Sequence, residues 1–279
     1  MDDAGRTLHF SEPTRRIVSL APHITELLFA AGAGQHIVAT SRYSDYPEAA
    51  KKIPEIGDAY SVNMEALLAL NTDLVLVWQS GIPIRTIEML DRLNIRYFVS
   101  EPKTVEAMIA SLRTFGEIAG DVSLANQTAD QLQERWQGLQ KKYTREETVN
   151  LFYQIWHKPL FTVNSPHIIE QVINACGGRN IFSDQPKAVF RTQLEAVIAA
   201  KPEAILFGGS ATPSEKQVNM QFWQRFPQLP AVKNSHLIAL PMRWLHRPSP
   251  RLLKGAEFMC EQLQQVRQAR VSTNTGSDS

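Results

Sequence analysis

At 279 residues, 43% hydrophobic and 20% charged, the chain is long enough to bury one large core or two smaller ones, and it lacks the bias of a disordered protein. Twenty-nine basic residues against 28 acidic ones leave a formal charge of +1, which excludes a general field drawing it to nucleic acid or an anionic membrane. Apolar runs such as Ile17 to Ala21 and Leu74 to Trp78 fall far short of the roughly 20 residues needed to cross a bilayer.

The opening residues Met1 to Arg6 lack a basic region followed by an apolar stretch and read as a start placed on an already processed protein, so a signal peptide is absent from this sequence. Beyond them, short β-branched runs at Arg16 to Leu20, Ile37 to Thr40, Asp73 to Trp78 and Arg96 to Ser100 predict strands. Helical spacing at Thr25 to Ala31, Asn63 to Leu70, Ile84 to Leu93 and Val105 to Ala119 predicts the helices between or after them. This alternation specifies an α/β fold with a mainly parallel sheet.

The pattern breaks from Asp121 to about Glu146. That stretch has no proline and places Ala125, Ala129, Leu132, Trp136, Leu139 and Tyr143 at alternating spacings of four and three, one apolar stripe on one long helix. At 1.5 Å per residue such a helix is roughly 37 Å long, the length of a domain. An amphipathic core helix of a single domain has the same pattern, but the position between two matching halves favours a strut, and a helical strut implies a fairly rigid cleft.

After the break the alternation resumes, with strands near Val149 to Ile155, Ala204 to Phe207 and Leu237 to Leu240 and helices near Ile168 to Ala175, Gln193 to Ala200 and Pro250 to Gln268. Met64-Glu65-Ala66-Leu67-Leu68-Ala69-Leu70 followed by Asp73 to Val77 matches Leu194-Glu195-Ala196-Val197-Ile198-Ala199-Ala200 followed by Glu203 to Phe207. Helix, two-residue turn and buried strand recur at one spacing. The expected organisation is an N-terminal α/β lobe over 15–120, an interlobe backbone helix over 121–146, a C-terminal α/β lobe over 147–269 and a flexible tail over 270–279.

Chemical signatures are sparse. Gly32-Ala33-Gly34 lacks the third glycine of a dinucleotide fingerprint, Gly208-Gly209-Ser210 lacks a P-loop lysine, and there is no GxSxG elbow or HExxH helix, so no enzyme class gains support. The seven histidines form no i, i+4 pair and read as structural rather than metal-binding, with His23 and His246 the two best placed for another role. Cys176 and Cys260 have no CxxC spacing, which leaves either a disulfide or two buried thiols. A bridge between them would close a long loop, worth about 4 kcal/mol in the chain-entropy model.

Aromatic residues at predicted strand ends and in loops are more informative, because ligands of parallel sheets sit beyond the carboxyl ends of the strands. Tyr43, Trp78 and Phe161 follow or end strands, and Tyr60, Phe190 and Trp244 lie in connections. Each alone could be a core plug; drawn from both halves they would wall a broad flat slot suited to a large ring ligand. Glu65 and Glu195 occupy equivalent points in the first turns of matching helices. Asn63 as a cap and Thr192-x-x-Glu195 as a capping box give them a structural reason, and docking onto a twofold-symmetric partner gives them a functional one.

Four motifs in order, Ser19-Leu20-Ala21-Pro22-His23-Ile24-Thr25-Glu26, Ser44-Asp45-Tyr46-Pro47, Cys176-Gly177-Gly178-Arg179-Asn180-Ile181-Phe182 and Arg247-Pro248-Ser249-Pro250-Arg251, resemble those of the cobalamin-binding periplasmic proteins of ABC importers. The resemblance runs from about Arg16 to Gln268 and implies two Rossmann-like α/β lobes joined by a single backbone helix, with the ligand cleft between the lobes. It implies a non-catalytic, periplasmic, monomeric protein with no metal site or catalytic cofactor, carrying cobalamin or a related corrinoid to a dimeric transmembrane permease. By position it places Tyr43, Trp78, Phe161 and Arg247 around the corrinoid with Trp244 nearby, matches Glu65 and Glu195 to carboxylates that meet the permease, and matches Cys176 and Cys260 to the family's disulfide. The sequence departs from the enterobacterial pattern at Ala59-Tyr60, where a tryptophan is expected, and at Arg243, where an acidic residue is expected; Phe190 stands only approximately where another pocket tryptophan would lie. These departures bear on the ligand rather than the fold. The alternatives are the same fold binding haem or a ferric siderophore, and, from a different class, a soluble α/β enzyme.

Overall fold

A computed structural model describes residues 1–165, 167–208 and 213–275, with backbone alone for 213–215 and 271–275. The chain divides into two compact units, the first comprising residues 1–133 and 247–250 and the second residues 134–246 and 251–279.

In the first unit the elements run β1 (Ile17–Ser19), α1 (Pro22–Ala30), β2 (Ile37–Thr40), α2 (Met64–Ala69), β3 (Leu74–Val77), α3 (Ile84–Arg92), β4 (Tyr97–Val99) and α4 (Val105–Ala119). The four strands form one parallel sheet in the order β2-β1-β3-β4. Every residue of β3 is buried, which explains the unbroken apolar run Leu74 to Val77: both faces of a central parallel strand are covered. Helix α1 begins at Pro22, three residues before the position its periodicity suggests. Proline suits the first helical turn, where its missing N–H would have had no partner, and Thr25 lies inside the helix with its hydroxyl bonded to Ser19 Oγ at 2.8 Å.

Helix α5 (Val122–Tyr143) is the long helix expected from the stripe, and Ala125, Ala129, Leu132, Trp136 and Tyr143 are all buried. The division between the compact units falls within it, between Gln133 and Glu134. A Cβ on Gly116 of α4 would lie 2.2 Å from Ala125 Cβ, so glycine there is what lets α4 and α5 approach.

The second unit contains β5 (Val149–Gln154), β6 (Phe161–Val163), α6 (Ile168–Ala175), β7 (Gly178–Asn180), β8 (Val189–Arg191), α7 (Leu194–Ala200), β9 (Ala204–Gly208), α8 (Pro213–Gln224), α9 (Pro230–Lys233), β10 (Leu237–Leu240), α10 (Met242–Leu245) and α11 (Arg251–Thr275). Its parallel sheet has the order β10-β9-β5-β7. Read from the other edge and counted among its own strands, this is second-first-third-fourth, the order of the first unit. The recurrence seen in the sequence is therefore a recurrence of topology, with α2–β3 and α7–β9 in equivalent places. Three strands went unforeseen. Gly178–Asn180 carries no alternation to read, and β6 and β8, three residues each, form a separate antiparallel pair. Helix α11 continues to Thr275, and residues 276–279 of the expected tail lie outside the described residues.

Cys176, at the end of α6, and Cys260, within α11, form a disulfide across 84 residues of sequence. In the chain-entropy model a loop of this length contributes about 4 kcal/mol. Arg267 secures the same corner, donating from Nη2 to the carbonyls of Cys176 at 2.6 Å and Gly177 at 3.1 Å.

Candidate functional site

The expected site residues of the first unit gather where the chain leaves the carboxyl ends of its strands. Trp78 directly follows β3 and is held on three sides. Its Nε1 donates to Glu101 Oε1 at 3.0 Å, the other carboxylate oxygen takes Ser80 N–H at 2.9 Å, and the His23 ring meets the indole edge-on at 5.3 Å between centroids. A Cβ on Gly81 would sit 1.9 Å from Trp78 Cε3, so this glycine is what the indole rests on. His23 is buried, and burial, followed by the nearby Arg247 charge, pushes its pKa down to about 3. It stays a neutral ring packed against Trp78.

Tyr43, after β2, is 66% exposed and has φ of 68°, the left-handed region that a bulky side chain rarely adopts. Its carbonyl accepts from Asp45 N at 2.9 Å and from Arg247 Nη2 at 3.0 Å. Arg247 Nη1 also meets Asp45 Oδ1 at 2.7 Å and Glu26 Oε1 at 3.0 Å, while Ser249 Oγ donates to Glu26 Oε2 at 2.6 Å. The motif pieces Glu26, Asp45 and Arg247-Pro248-Ser249 thus converge on one charge cluster that sets the Tyr43 backbone. Tyr60, 79% exposed, tips a tight loop whose Asp58 Oδ1 accepts from the N–H groups of Tyr60 and Ser61 at 2.8 and 3.1 Å.

In the second unit Phe161 and Phe190 lie on β6 and β8, but the register pairs Phe161 with Arg191 and Thr162 with Phe190. Directly opposed residues share a face, so the two rings occupy opposite faces of this small ribbon. Phe190 meets Phe182 edge-on at 5.9 Å. Trp244 sits half-buried on α10. A Cβ on Gly255 of α11 would lie 2.8 Å from Leu245 Cγ, so glycine lets α10 lie close to α11.

Glu65 and Glu195 are both exposed in the first turns of α2 and α7. Asn63 caps α2 as expected, accepting Ala66 N–H at 3.0 Å. The capping box on α7 does not form. Gln193, not Thr192, occupies the cap position and makes no side-chain bond, while Thr192 is held by its backbone N–H to Leu160 O at 2.9 Å.

Two hollows differ in character. One of about 660 Å³ in the first unit is lined by Arg15, Asp73, Arg96 and neighbouring polar residues, at the amino ends of β1, β3 and β4 and so on the wrong edge for a ligand of this fold. Another of about 280 Å³ lies in the second unit at the carboxyl ends of β5 and β9, where Trp156 and His157 line it beside Gln154, Gly208 and Asn219. Neither Trp156 nor His157 stands out by sequence position, because the turn that presents them belongs to the short ribbon that periodicity does not reveal.

The model of the family described as "Periplasmic binding protein" matches residues 17–243. The chain belongs to that family. The vitamin B12-binding protein of Vibrio parahaemolyticus is 32% identical over 260 residues, 93% of each chain. That of Photorhabdus laumondii is 35% identical over 250 residues, covering 89% of this chain and 87% of the relative. Among solved structures, the periplasmic vitamin B12 binding protein of Vibrio cholerae matches with a TM-score of 0.83 at 32% identity, covering 91% of this chain and 98% of its own. The periplasmic haem-binding protein RhuT of Roseiflexus sp. RS-1 reaches a TM-score of 0.79 at 21% identity, covering 91% of this chain and 99% of its own, a likeness of fold alone. Membership of this family therefore rests on nearly the whole length of the chain.

Proposed function

We propose that this periplasmic binding protein captures a corrinoid such as cobalamin without transforming it and delivers it to the transmembrane permease dimer of an ABC importer. The observation that carries the reading is the pair of aromatic residues at the strand ends of one sheet: Trp78 after β3, pinned by Glu101 and His23, and Tyr43 after β2, held exposed in a strained backbone by Arg247. A half-buried, pinned Trp78 and an exposed Tyr43 on a fixed backbone suit a large planar ligand, since little conformational freedom is lost when such rings are covered. Similarity at 32–35% identity to vitamin B12-binding proteins supports the same ligand class.

In this reading Tyr43, Tyr60, Trp78, Phe161, Phe190 and Trp244 supply the ring contacts, with Phe161 and Phe190 on opposite faces of their ribbon and so unable to share one ring surface. Arg247 acts chiefly by setting Tyr43, with its outer edge available to a polar group of the ligand. The organisation of lobe, backbone helix and lobe accompanies this reading, as do a monomeric state and a periplasmic location. Glu65 and Glu195 are the docking carboxylates.

The test is a titration of the protein with cyanocobalamin, cobinamide, haemin and a ferric siderophore, followed by tryptophan fluorescence. Saturable quenching by the corrinoids and none by the siderophore is expected. Preference for haemin or the siderophore would replace the corrinoid with the other ligands carried on this fold.

A further inference from the structure

The hollow at the carboxyl ends of β5 and β9 has features that the proposed ring contacts do not use. Trp156 follows β5 and is 61% exposed, yet it is not loose. Its Nε1 donates to Lys158 O at 3.1 Å across the turn, and the turn is closed by Ile155 N–H to Phe161 O at 2.9 Å and Phe161 N–H to Trp156 O at 3.2 Å. An exposed indole fixed in this way is a preorganised flat surface. His157 packs edge-on against Phe222 at 4.6 Å, and its buried Nδ1 has no hydrogen-bond partner among the described residues. Burial, followed by the Lys158 charge, lowers its pKa, so the ring is neutral at neutral pH.

The floor of the hollow is polar but internally satisfied. Gln154 Nε2 donates to Asn219 Oδ1 at 2.7 Å, Trp223 Nε1 donates to Gln154 Oε1 at 2.8 Å, and Asn219 Nδ2 donates to Gly208 O at 3.0 Å. No Asp, Glu, Lys or Arg lines the hollow among the described residues. At about 280 Å³ it is too small for a macrocycle, since pockets for whole drug-sized ligands begin at about 300 Å³. It suits one flat, uncharged appendage.

We propose that Trp156 and His157 form a separate subsite for the planar, neutral heteroaromatic base carried on the ligand's nucleotide arm, with Trp156 stacking on its face and His157 meeting its edge. The subsite rests on the corrinoid reading and makes this chain a selector of complete corrinoids over those lacking the base. Trp156 would act on specificity, not on capture of the macrocycle.

The experiment compares the full chain with Trp156→Ala, Trp156→Phe and His157→Ala by calorimetry, using cyanocobalamin and dicyanocobinamide, which keeps the macrocycle and lacks the base. Trp156→Ala should weaken cyanocobalamin on the order of ten- to a hundredfold, the range that loss of one base–aromatic stack gives, and leave dicyanocobinamide within about twofold. Trp156→Phe should restore most of the preference, which separates a stacking role from damage to the turn. His157→Ala should reduce the preference by a smaller factor. An unchanged ratio of the two affinities in Trp156→Ala, or an equal fall in both, would overturn the subsite while leaving corrinoid capture standing. Failure of the unaltered protein to bind either corrinoid would instead overturn the corrinoid reading, and the subsite with it.

Discussion

Glu170 on α6 is 2% exposed, and burial pushes its carboxyl up to about 7 against a smaller opposing pull from the amides of Asn180. A carboxyl whose folded pKa exceeds its unfolded value binds its proton more tightly in the native state, so it favours folding below the unfolded value near 4.5. That contribution is lost as pH rises towards 7, an effect of a few kcal/mol. Glu170→Gln should therefore be more stable than the parent at pH 8 and closer to it at pH 5, as read from urea midpoints. Half-buried His167, whose pKa desolvation lowers to about 4, titrates with the opposite sign, so the comparison is made between variant and parent rather than along one curve. Equal pH slopes for the two proteins would contradict this account of Glu170. At this scale the sequence is least legible: Arg247 is conspicuous in its motif, but its partners Glu26 and Asp45 lie 221 and 202 residues away, a distance that no local pattern spans.

At the scale of elements, α2 and α7 precede equivalent strands of the two sheets and each exposes a carboxylate in its first turn. The proposed docking role predicts that Glu65→Ala with Glu195→Ala leaves corrinoid affinity unchanged. It should weaken association with the permease by roughly tenfold at low salt and by less at high salt, measured by surface binding to the reconstituted transporter. Loss of ligand binding with normal association would contradict the assignment. These helices and the long α5 are legible in sequence because buried stripes and apolar strands leave a period to read. Strands β6, β7 and β8 are not: β1 and β4 are as short but fully buried, whereas β7 is Gly-Arg-Asn, β8 is exposed at both ends and β6 is only partly buried, so none carries an unbroken buried apolar run. The capping box at Thr192 failed for a related reason: the backbone of Thr192 is already committed to Leu160, so a motif valid in an isolated helix yields to a tertiary contact.

At the scale of the molecule, the internal repeat was the most legible feature, since one topology built twice writes its helix–turn–strand spacing into the sequence twice. Ligand class was legible only through the several motifs in order; composition and charge confine it no further than excluding nucleic acid and an anionic membrane. The most direct test of corrinoid capture without chemistry is a calorimetric titration with cyanocobalamin, followed by denaturation of the complex and recovery of the ligand. The account predicts saturable binding of one ligand per chain and a recovered compound whose absorption spectrum and mass match the starting material. Absence of binding, or recovery of an altered corrinoid, would contradict it.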